Sequence, residues 1–229
     1  MPAVSILTPS FNKHEYVMDA VNSVFSQTIA DWEYWLIDNS TDRSTRKLLR
    51  RELPRDPRLH YLEFDFTLEE RQHTYIPAYI INQVYPEISG VYAFYLSDDD
   101  ILYPKCLEEM VLFLESNPKA WVCYHSQLRQ IWDKDHWRDG GGRYTNFILG
   151  KDTVYPGVDC NLDGGQIMHR RECLEYLDQP YIPEDPTSAL HCDGLLMQKL
   201  ADRWKFYPIP NREPLSAHRV TPKSTWSKP

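Results

Sequence analysis

An almost unbroken apolar run at residues 91–96 leads, after one serine, into the acidic triplet Asp98-Asp99-Asp100. Continuous apolar strands of this kind are typical of parallel sheets that are covered by helices on both faces. A helical pattern at residues 105–116 follows. Earlier segments alternate in the same way, with strand patterns at residues 4–7, 33–37 and 59–62 and helical patterns at 17–28, 43–53 and 78–85. This order predicts an α/β fold with a mixed, mostly parallel sheet, right-handed crossovers and flanking helices.

The second half of the chain is less regular. Strand patterns occur at residues 121–131, 167–169, 204–209 and 216–220, and helical patterns at 172–177 and 193–202. The polar, glycine-rich residues 133–142 predict a loop, and residues 221–229 a loose tail. Near the N-terminus, the spacing of Asn12 and Glu15 predicts a capping box for the first helix.

Polar side chains follow three of the predicted strands. They are Thr8 to Phe11 after the first strand, Asp38 after the second, and the triplet Asp98-Asp99-Asp100 after the fourth. Ligands of parallel α/β sheets bind beyond the carboxyl ends of the strands. We therefore expect these three groups to face one crevice.

The acidic triplet predicts a site for a divalent cation. Two carboxylates about 4 Å apart near a protein surface repel each other by up to about 4 kcal/mol. Mn²⁺ or Mg²⁺ removes that repulsion, and both ions prefer oxygen ligands. Asp100 also precedes the helical pattern at residues 105–116, and we expect it to cap that helix in addition.

Composition excludes some classes of protein. The net charge of −8 and the pI of about 5.5 argue against a nucleic-acid partner. The five cysteines form no CxxC motif, which favours a reducing cytoplasm over a disulfide framework. We expect no signal peptide, because no basic segment precedes a long apolar stretch, and no apolar run approaches the ~18 residues of a membrane helix.

Five motifs follow one another along the first half of the chain: Thr8-Pro9-Ser10-Phe11-Asn12, Ser23-Val24-Phe25-Ser26-Gln27-Thr28, Asp38-Asn39-Ser40-Thr41-Asp42, the pair Asn82 and Gly90, and Leu96-Ser97-Asp98-Asp99-Asp100. In this order and spacing they resemble the motifs of family 2 glycosyltransferases with the GT-A fold. The similarity is strong over residues 4–118. In the second half, residues 164–171 resemble the small-residue turn and strand of this family.

The resemblance implies a single GT-A domain over residues 1–229, with a nucleotide-binding half at 1–100 and an acceptor-binding half at 101–220. It implies inverting transfer of a sugar from a nucleotide-diphosphate donor, with UDP-sugars favoured, to a hydroxyl of a glycan or small acceptor. Residues implied in nucleotide binding are Thr8, Pro9, Phe11, Asp38, Asn82 and Asp98. The implied cofactor is Mn²⁺ or Mg²⁺, held first by Asp99, with Asp98 or Asp100. His218, in the segment Ser216-Ala217-His218-Arg219, resembles a C-terminal His of the family that completes the metal site or contacts phosphate.

The catalytic base of this family is an acidic residue at the start of a later helix. Asp193 fits that position, although Cys192 precedes it where a Glu is usual, and an Asp there could also be a helix cap. Asp185, in the pair Glu184-Asp185, is the rival, but Pro186 follows it and no amphipathic helix begins there.

Two departures from the family pattern leave a catalytically degenerate module open as an alternative. Ser97 stands in place of the first Asp of the metal motif, and Ile81 stands in place of an Arg that contacts the nucleotide. A nucleotidyltransferase would use the same kind of sheet and cation, but it should show a glycine-rich phosphate loop, which the segment 8–12 lacks. A catalytically degenerate, sugar-binding module is the non-enzymatic alternative.

Overall fold

The computed structural model describes residues 1–143, 147–154, 162–177, 192–210 and 213–221. The strands are β1 (Val4–Ser10), β2 (Trp32–Asp38), β3 (Leu59–Glu63), β4 (Tyr92–Tyr95), β5 (Ile101–Leu102), β6 (Val122–Tyr124), β7 (Gln127–Asp133), β8 (His136–Arg143), β9 (Ile167–Arg170), β10 (Phe206–Pro208) and β11 (Ser216–Val220). The helices are α1 (Val17–Phe25), α2 (Arg43–Glu52), α3 (Leu68–His73), α4 (Ile76–Val84), α5 (Cys106–Ser116), α6 (Lys151–Val154) and α7 (Cys192–Ala201), with 3-10 helices at Gly164–Gln166 and Arg171–Tyr176. Within these ranges, no helix is long and apolar enough to span a bilayer.

A seven-stranded sheet forms the frame of the molecule, in the order β10-β6-β9-β4-β1-β2-β3. Its strands pair in parallel, except that β9 runs antiparallel to both of its neighbours, β4 and β6. The mixed, mostly parallel sheet expected from the strand and helix pattern is therefore confirmed.

Helices cover both faces of this sheet, because adjacent residues of a strand point to opposite sides. On β1, Ile6 packs into one apolar cluster with α1, α2 and α5, whereas Leu7 packs into the other with α4 and α7. Each fully buried side chain of this size contributes roughly 1.5–3 kcal/mol. The packed helices and sheet form rigid layers that fix the positions of the strand ends. The polar residues at those ends are therefore held in fixed positions as well.

A second, four-stranded sheet has the order β5-β11-β7-β8. Its first strand, β5, begins at the residue after Asp100, so that this sheet starts where the acidic triplet ends. Strand β11, the last described strand, pairs antiparallel with β5 and parallel with β7. The second sheet therefore brings C-terminal residues to the strand ends of the first.

The loop predicted at residues 133–142 is wrong, because β7 and β8 form an antiparallel hairpin there. Lys134 adopts a positive φ of 58° in the two-residue turn, as tight hairpin turns require. The rings of Trp132 and Trp137 pair across the strands at 5.0 Å, and Trp137 also packs against Tyr16 and the Arg219 guanidinium. Three glycines in β8 concealed the strand, since they carry no side chain that could show alternation.

The predicted capping box of Asn12 and Glu15 is also wrong. Helix α1 begins only at Val17, and its first turn has no side-chain cap. Asn12 instead has a φ of 54°, and its side-chain oxygen accepts hydrogen bonds from the backbone N–H groups of Thr41 and Asp42. Asn12 thus joins the end of β1 to the end of β2.

Other local differences are smaller. The pattern at residues 121–131 divides into β6 and β7, and the helix predicted at 172–177 is a 3-10 helix at Arg171–Tyr176. Helix α3, which follows β3, had no readable pattern in the sequence. Residues 222–229 of the predicted tail lie outside the described residues.

A buried chain of hydrogen bonds holds the antiparallel strand β9 beside β4. His169 donates from Nδ1 to the carbonyl oxygen of Arg170 at 2.8 Å, and its Nε2 accepts from the Tyr95 hydroxyl at 2.8 Å. The Tyr85 hydroxyl lies 2.6 Å from that of Tyr95. Burial lowers the pKa of His169 from 6.5 to about 4, so the imidazole is neutral in the folded protein.

We expect His169→Gln to reduce the dependence of stability on pH. A histidine whose pKa is lower in the folded state contributes stability above pH 6.5 and loses that contribution as the pH falls toward 4. Between pH 7 and pH 5 this group should cost the wild-type protein about 2 kcal/mol of unfolding free energy. Urea unfolding at both pH values measures the difference.

The exposed His136→Gln serves as the control, because it removes a histidine without touching the buried chain. An equal pH dependence in wild type and His169→Gln would contradict a neutral, buried His169.

Candidate active site at the strand ends

The ends of β1, β2 and β4 are tied together by hydrogen bonds. The backbone N–H of Phe11 donates to Asp98 Oδ2 at 2.9 Å, which joins the end of β1 to the acidic triplet. Asn39 donates from both its backbone and its side chain to the carbonyl oxygen of Ser10 at 2.9 Å. The three polar groups expected to share one crevice therefore lie at one edge of the sheet.

Among the residues expected to bind the nucleotide, Asp38 and Phe11 differ sharply in exposure. Asp38 is fully buried, and its carboxylate accepts from the Ser40 N–H at 3.0 Å and the Tyr61 hydroxyl at 3.2 Å. Phe11 is 42% exposed. Thr8 is fully buried within β1, and Pro9 is half-buried. Phe11 is therefore the member of this group whose ring offers free surface to a ligand.

Asn82 lies on α4, where it is 8% exposed, and this helix packs against β1 and β2. The motif pair of Asn82 and Gly90 is thus built into the helix and turn that precede β4. Gly90 is required for packing, since a Cβ there would lie 2.5 Å from the backbone nitrogen of Ser5.

Arg71 is a residue of this region that the sequence did not reveal. It lies on α3, and its guanidinium stacks on the Phe11 ring at 4.9 Å and near Phe66 at 5.5 Å. It also donates to the side-chain and backbone oxygens of Asn39 at 3.0 and 2.8 Å. Arg71 therefore supports Phe11 and the loop after β2 from one side. The sequence did not predict a role for Arg71, because the surrounding residues 63–77 show no clear apolar periodicity.

Each member of the acidic triplet has a different partner. Asp98 accepts from Phe11, Asp99 forms an ion pair with Lys13 Nζ, and Asp100 Oδ1 accepts from the backbone N–H of Arg219 at 2.7 Å. Burial, followed by the neighbouring Asp99, raises the pKa of Asp98 to about 7. Burial raises the pKa of Asp100 to about 6, although His218 acts in the opposite direction. Burial therefore disfavours the charged forms of Asp98 and Asp100 more than Lys13 and His218 stabilise them.

The additional role of Asp100 as a helix cap is wrong. Helix α5 begins at Cys106 after Lys105, with no side-chain cap. Asp100 is instead 1% exposed and directed toward β11.

Asp100, Asp163 and His218 form a cluster in which one ligand atom from each lies within 4.8 Å of the others. His218 Nδ1 is 3.3 Å from Asp100 Oδ2 and 3.9 Å from Asp163 Oδ2. Two of the residues predicted to bind metal, Asp100 and His218, are thus brought together. Asp99, the first choice for the metal from the sequence, is paired with Lys13.

Asp163 is the member of the cluster that the sequence did not reveal. It caps the short 3-10 helix Gly164–Gln166, and its Oδ1 accepts from the Gly165 N–H at 2.9 Å. Its position directly before the Gly164-Gly165 turn could have identified Asp163 as a site residue, because that turn resembles the one that borders the donor sugar in the family.

Asp193 lies on the other side of the same turn. As the second residue of α7, it accepts from the Gly164 N–H at 3.1 Å and from the Gly194 N–H at 2.9 Å. Burial raises the pKa of Asp193, and the nearby Asp163 carboxylate adds to the shift. The predicted base is therefore beside the cluster, across one glycine turn. The rival pair Glu184-Asp185 lies outside the described residues.

The cluster fits a hard divalent cation. Two carboxylates and an imidazole form an oxygen-rich ligand set suited to Mn²⁺ or Mg²⁺. Glycine at position 165 leaves open a point that a Cβ would occupy, 3.2 Å from Asp163 Oδ1, 3.6 Å from Gln127 Nε2 and 3.9 Å from Asp100 Oδ2. The residues present thus fit the cofactor that the family resemblance implies.

Two solved structures illustrate the likeness of this fold to known proteins. TarS of S. aureus, in a complex of residues 1–349 with UDP-GlcNAc, matches with a TM-score of 0.69 and 14% identity, covering 100% of this chain and 61% of that one. The mannosyltransferase PcManGT from Pyrobaculum calidifontis, in complex with GDP-Man and Mn²⁺, matches with a TM-score of 0.65 and 16% identity, covering 99% and 59%. At these identities the likeness concerns the fold, which is GT-A.

Sequence comparison gives the family. Protein CgeD of Bacillus subtilis (strain 168) is 28% identical over 224 residues, which cover 96% of this chain. The chain spans about half of that relative, 51% of its length. The family model for glycosyl transferase family 2 matches residues 5–177, most of the chain. This chain therefore belongs to glycosyl transferase family 2.

Proposed function

We propose that this protein transfers a sugar from a nucleotide-diphosphate donor to a hydroxyl group of a glycan or small acceptor, with inversion and with a divalent cation. The cluster of Asp100, Asp163 and His218 at the carboxyl edge of the sheet carries the proposal. It supplies ligands for a cation at the edge of the sheet where α/β proteins bind ligands.

The donor in this proposal is a UDP-sugar. TarS is described in complex with UDP-GlcNAc, and PcManGT with GDP-Man, so that guanosine is the rival base. The exposed ring of Phe11, supported by Arg71, offers a surface on which a base can stack. Residues 1–100 form the nucleotide half and residues 101–220 the acceptor half. The proposed nucleotide contacts are Thr8, Pro9, Phe11, Asp38, Asn82 and Asp98.

Asp193 is the proposed base, which takes the proton from the acceptor hydroxyl. Hydrogen bonds from Gly164 and Gly194 orient its carboxylate, and its raised pKa makes it a better proton acceptor than an ordinary aspartate. Asp100, Asp163 and His218, with Asp99 nearby, would hold Mn²⁺ or Mg²⁺. A bound cation supplies Lewis-acid stabilisation of the negative charge on the departing diphosphate. In this proposal Asp193 acts as a base and not as a nucleophile, which corresponds to a single displacement and hence to inversion.

A screen of nucleotides by thermal stabilisation tests the donor. We expect UDP and UDP-sugars to raise Tm in the presence of Mn²⁺ and to lose most of that effect in EDTA, because ligands that bind the folded state stabilise it by mass action. GDP and ADP are the controls. A larger shift with GDP than with UDP would identify guanosine, not uridine, as the nucleoside of the donor. Equal shifts with Mn²⁺ and in EDTA would show that donor binding needs no cation.

Gly165→Ala tests the cation cluster. The added methyl would occupy the point between Asp163, Gln127 and Asp100, and we expect Mn²⁺ affinity to fall about 10-fold or more. The matched control is Gly150→Ala, since a Cβ at Gly150 has no atom within 4 Å. Calorimetric titration of Mn²⁺ into both variants and the wild type measures the effect. Unchanged affinity in Gly165→Ala would place the cation elsewhere.

Asp193→Asn tests the base. We expect UDP affinity to remain within about twofold and turnover of the donor to fall by ~10²-fold or more, because the amide cannot accept the proton. Asp202→Asn, just beyond the same helix, is the control. Turnover is followed as UDP release with and without acceptor mixtures. A variant with near-normal turnover would eliminate Asp193 as the base and favour Asp185.

A further inference from the structure

Gln127 lies next to the cation cluster without being part of it. It is the first residue of β7, and its register partner on the parallel strand β11 is Ser216, two residues before His218. Side chains two residues apart share a face of a sheet, and parallel register partners share that face as well. Gln127 and Ser216 are therefore on the same side of the second sheet as His218.

The side chains of Gln127 and Ser216 are buried and lack partners. Each residue is 1% exposed, and within the part of the chain that the structure describes neither the amide of Gln127 nor the hydroxyl of Ser216 makes a hydrogen bond. Buried polar atoms are almost always paired, because an unpaired one loses its hydrogen bonds to water and gains none. Two neighbouring exceptions on one face suggest a ligand that would satisfy them.

The amide of Gln127 borders the same point as the two carboxylates of the cluster. Its Nε2 lies 3.6 Å from the point that a Cβ of Gly165 would occupy, and the same point is 3.2 Å from Asp163 Oδ1 and 3.9 Å from Asp100 Oδ2. The oxygen and nitrogen of a glutamine amide exchange places by a simple flip. Gln127 can therefore present its carbonyl oxygen toward the two carboxylates.

We propose that Gln127 is a neutral oxygen ligand of the divalent cation held by Asp100, Asp163 and His218. This inference rests on the proposed function only in assuming that the cluster binds a cation. A carbonyl oxygen is a normal ligand of Mn²⁺ and Mg²⁺. Unlike a further carboxylate, it adds a ligand without increasing the repulsion between Asp100 and Asp163 when the cation is absent.

Mn²⁺ titration without nucleotide, with free Mn²⁺ measured by electron paramagnetic resonance, tests the proposal on Gln127→Leu and Gln127→Glu. We expect Gln127→Leu to weaken Mn²⁺ binding about 10-fold and to keep or raise Tm in EDTA, because it removes unpaired polar atoms while preserving volume. Gln127→Glu should bind Mn²⁺ more tightly than the wild type, since it replaces a neutral ligand by a carboxylate at the same place. Gln130→Leu, on the opposite face of β7, should match the wild type.

The results that overturn the proposal are distinct from those that overturn the function. If the wild type binds Mn²⁺ and Gln127→Leu binds it equally well, Gln127 is not a ligand, while the cation cluster stands. The proposal also fails if Gln127→Leu lowers Tm in EDTA, or weakens UDP binding in EDTA while its Mn²⁺ affinity is unchanged. A wild type that binds no Mn²⁺ overturns the cation requirement of the proposed function together with this inference.

Discussion

The hydrogen bond from the backbone N–H of Arg219 to Asp100 joins the two sheets at the point where the site is built. Asp100 lies between β4 and β5, and Arg219 belongs to β11, the last described strand. The contact therefore joins residues that are 119 positions apart in the sequence. Because its donor is a backbone group, the bond depends on the register of β11. That same register places His218 against Asp100 and Ser216 beside Gln127. The geometry of the cluster is therefore a consequence of strand pairing.

Burying several carboxylates at one edge has a cost that the protein offsets only in part. Lys13 neutralises Asp99, and Arg46 Nε approaches Asp38 at 3.6 Å. The pKa of Asp98 remains near 7 and that of Asp100 near 6, so both exceed the values of the unfolded chain. Groups of this kind favour the folded state below their unfolded pKa and oppose it increasingly as the pH rises through the folded pKa. A divalent cation would reverse that balance, and the same burial that destabilises the empty site would strengthen its attraction for the ion.

The sequence predicts well the parts of the molecule that local pattern determines. The strands β1 to β4 and the helices α1, α2 and α4 follow from apolar periodicity, and the position of the acidic triplet follows from where β4 ends. The sequence fails where distant residues must meet. Asp163 belongs to the cluster through the turn that precedes β9, and Arg71 reaches Phe11 from a helix without a clear apolar face. The β7–β8 hairpin was concealed for a third reason, since its pairing depends on Trp132 and Trp137 while glycines interrupt the alternation.

Gly164 and Gly165 allow the cluster of Asp100, Asp163 and His218 to lie close to Asp193, the proposed base. A Cβ at Gly164 would lie 3.2 Å from the Cβ of Asp193, and a Cβ at Gly165 would lie within 4 Å of Asp163, Gln127 and Asp100. The turn therefore separates the two groups by the thickness of a single backbone. In the proposed single displacement, the leaving diphosphate and the attacking hydroxyl would lie on opposite sides of one carbon atom, so the cation and the base would both need to be within reach of that carbon. A side chain at position 164 would crowd Asp193 and one at position 165 would crowd Asp163, so that glycine at both positions suits the proposed reaction as well as the packing.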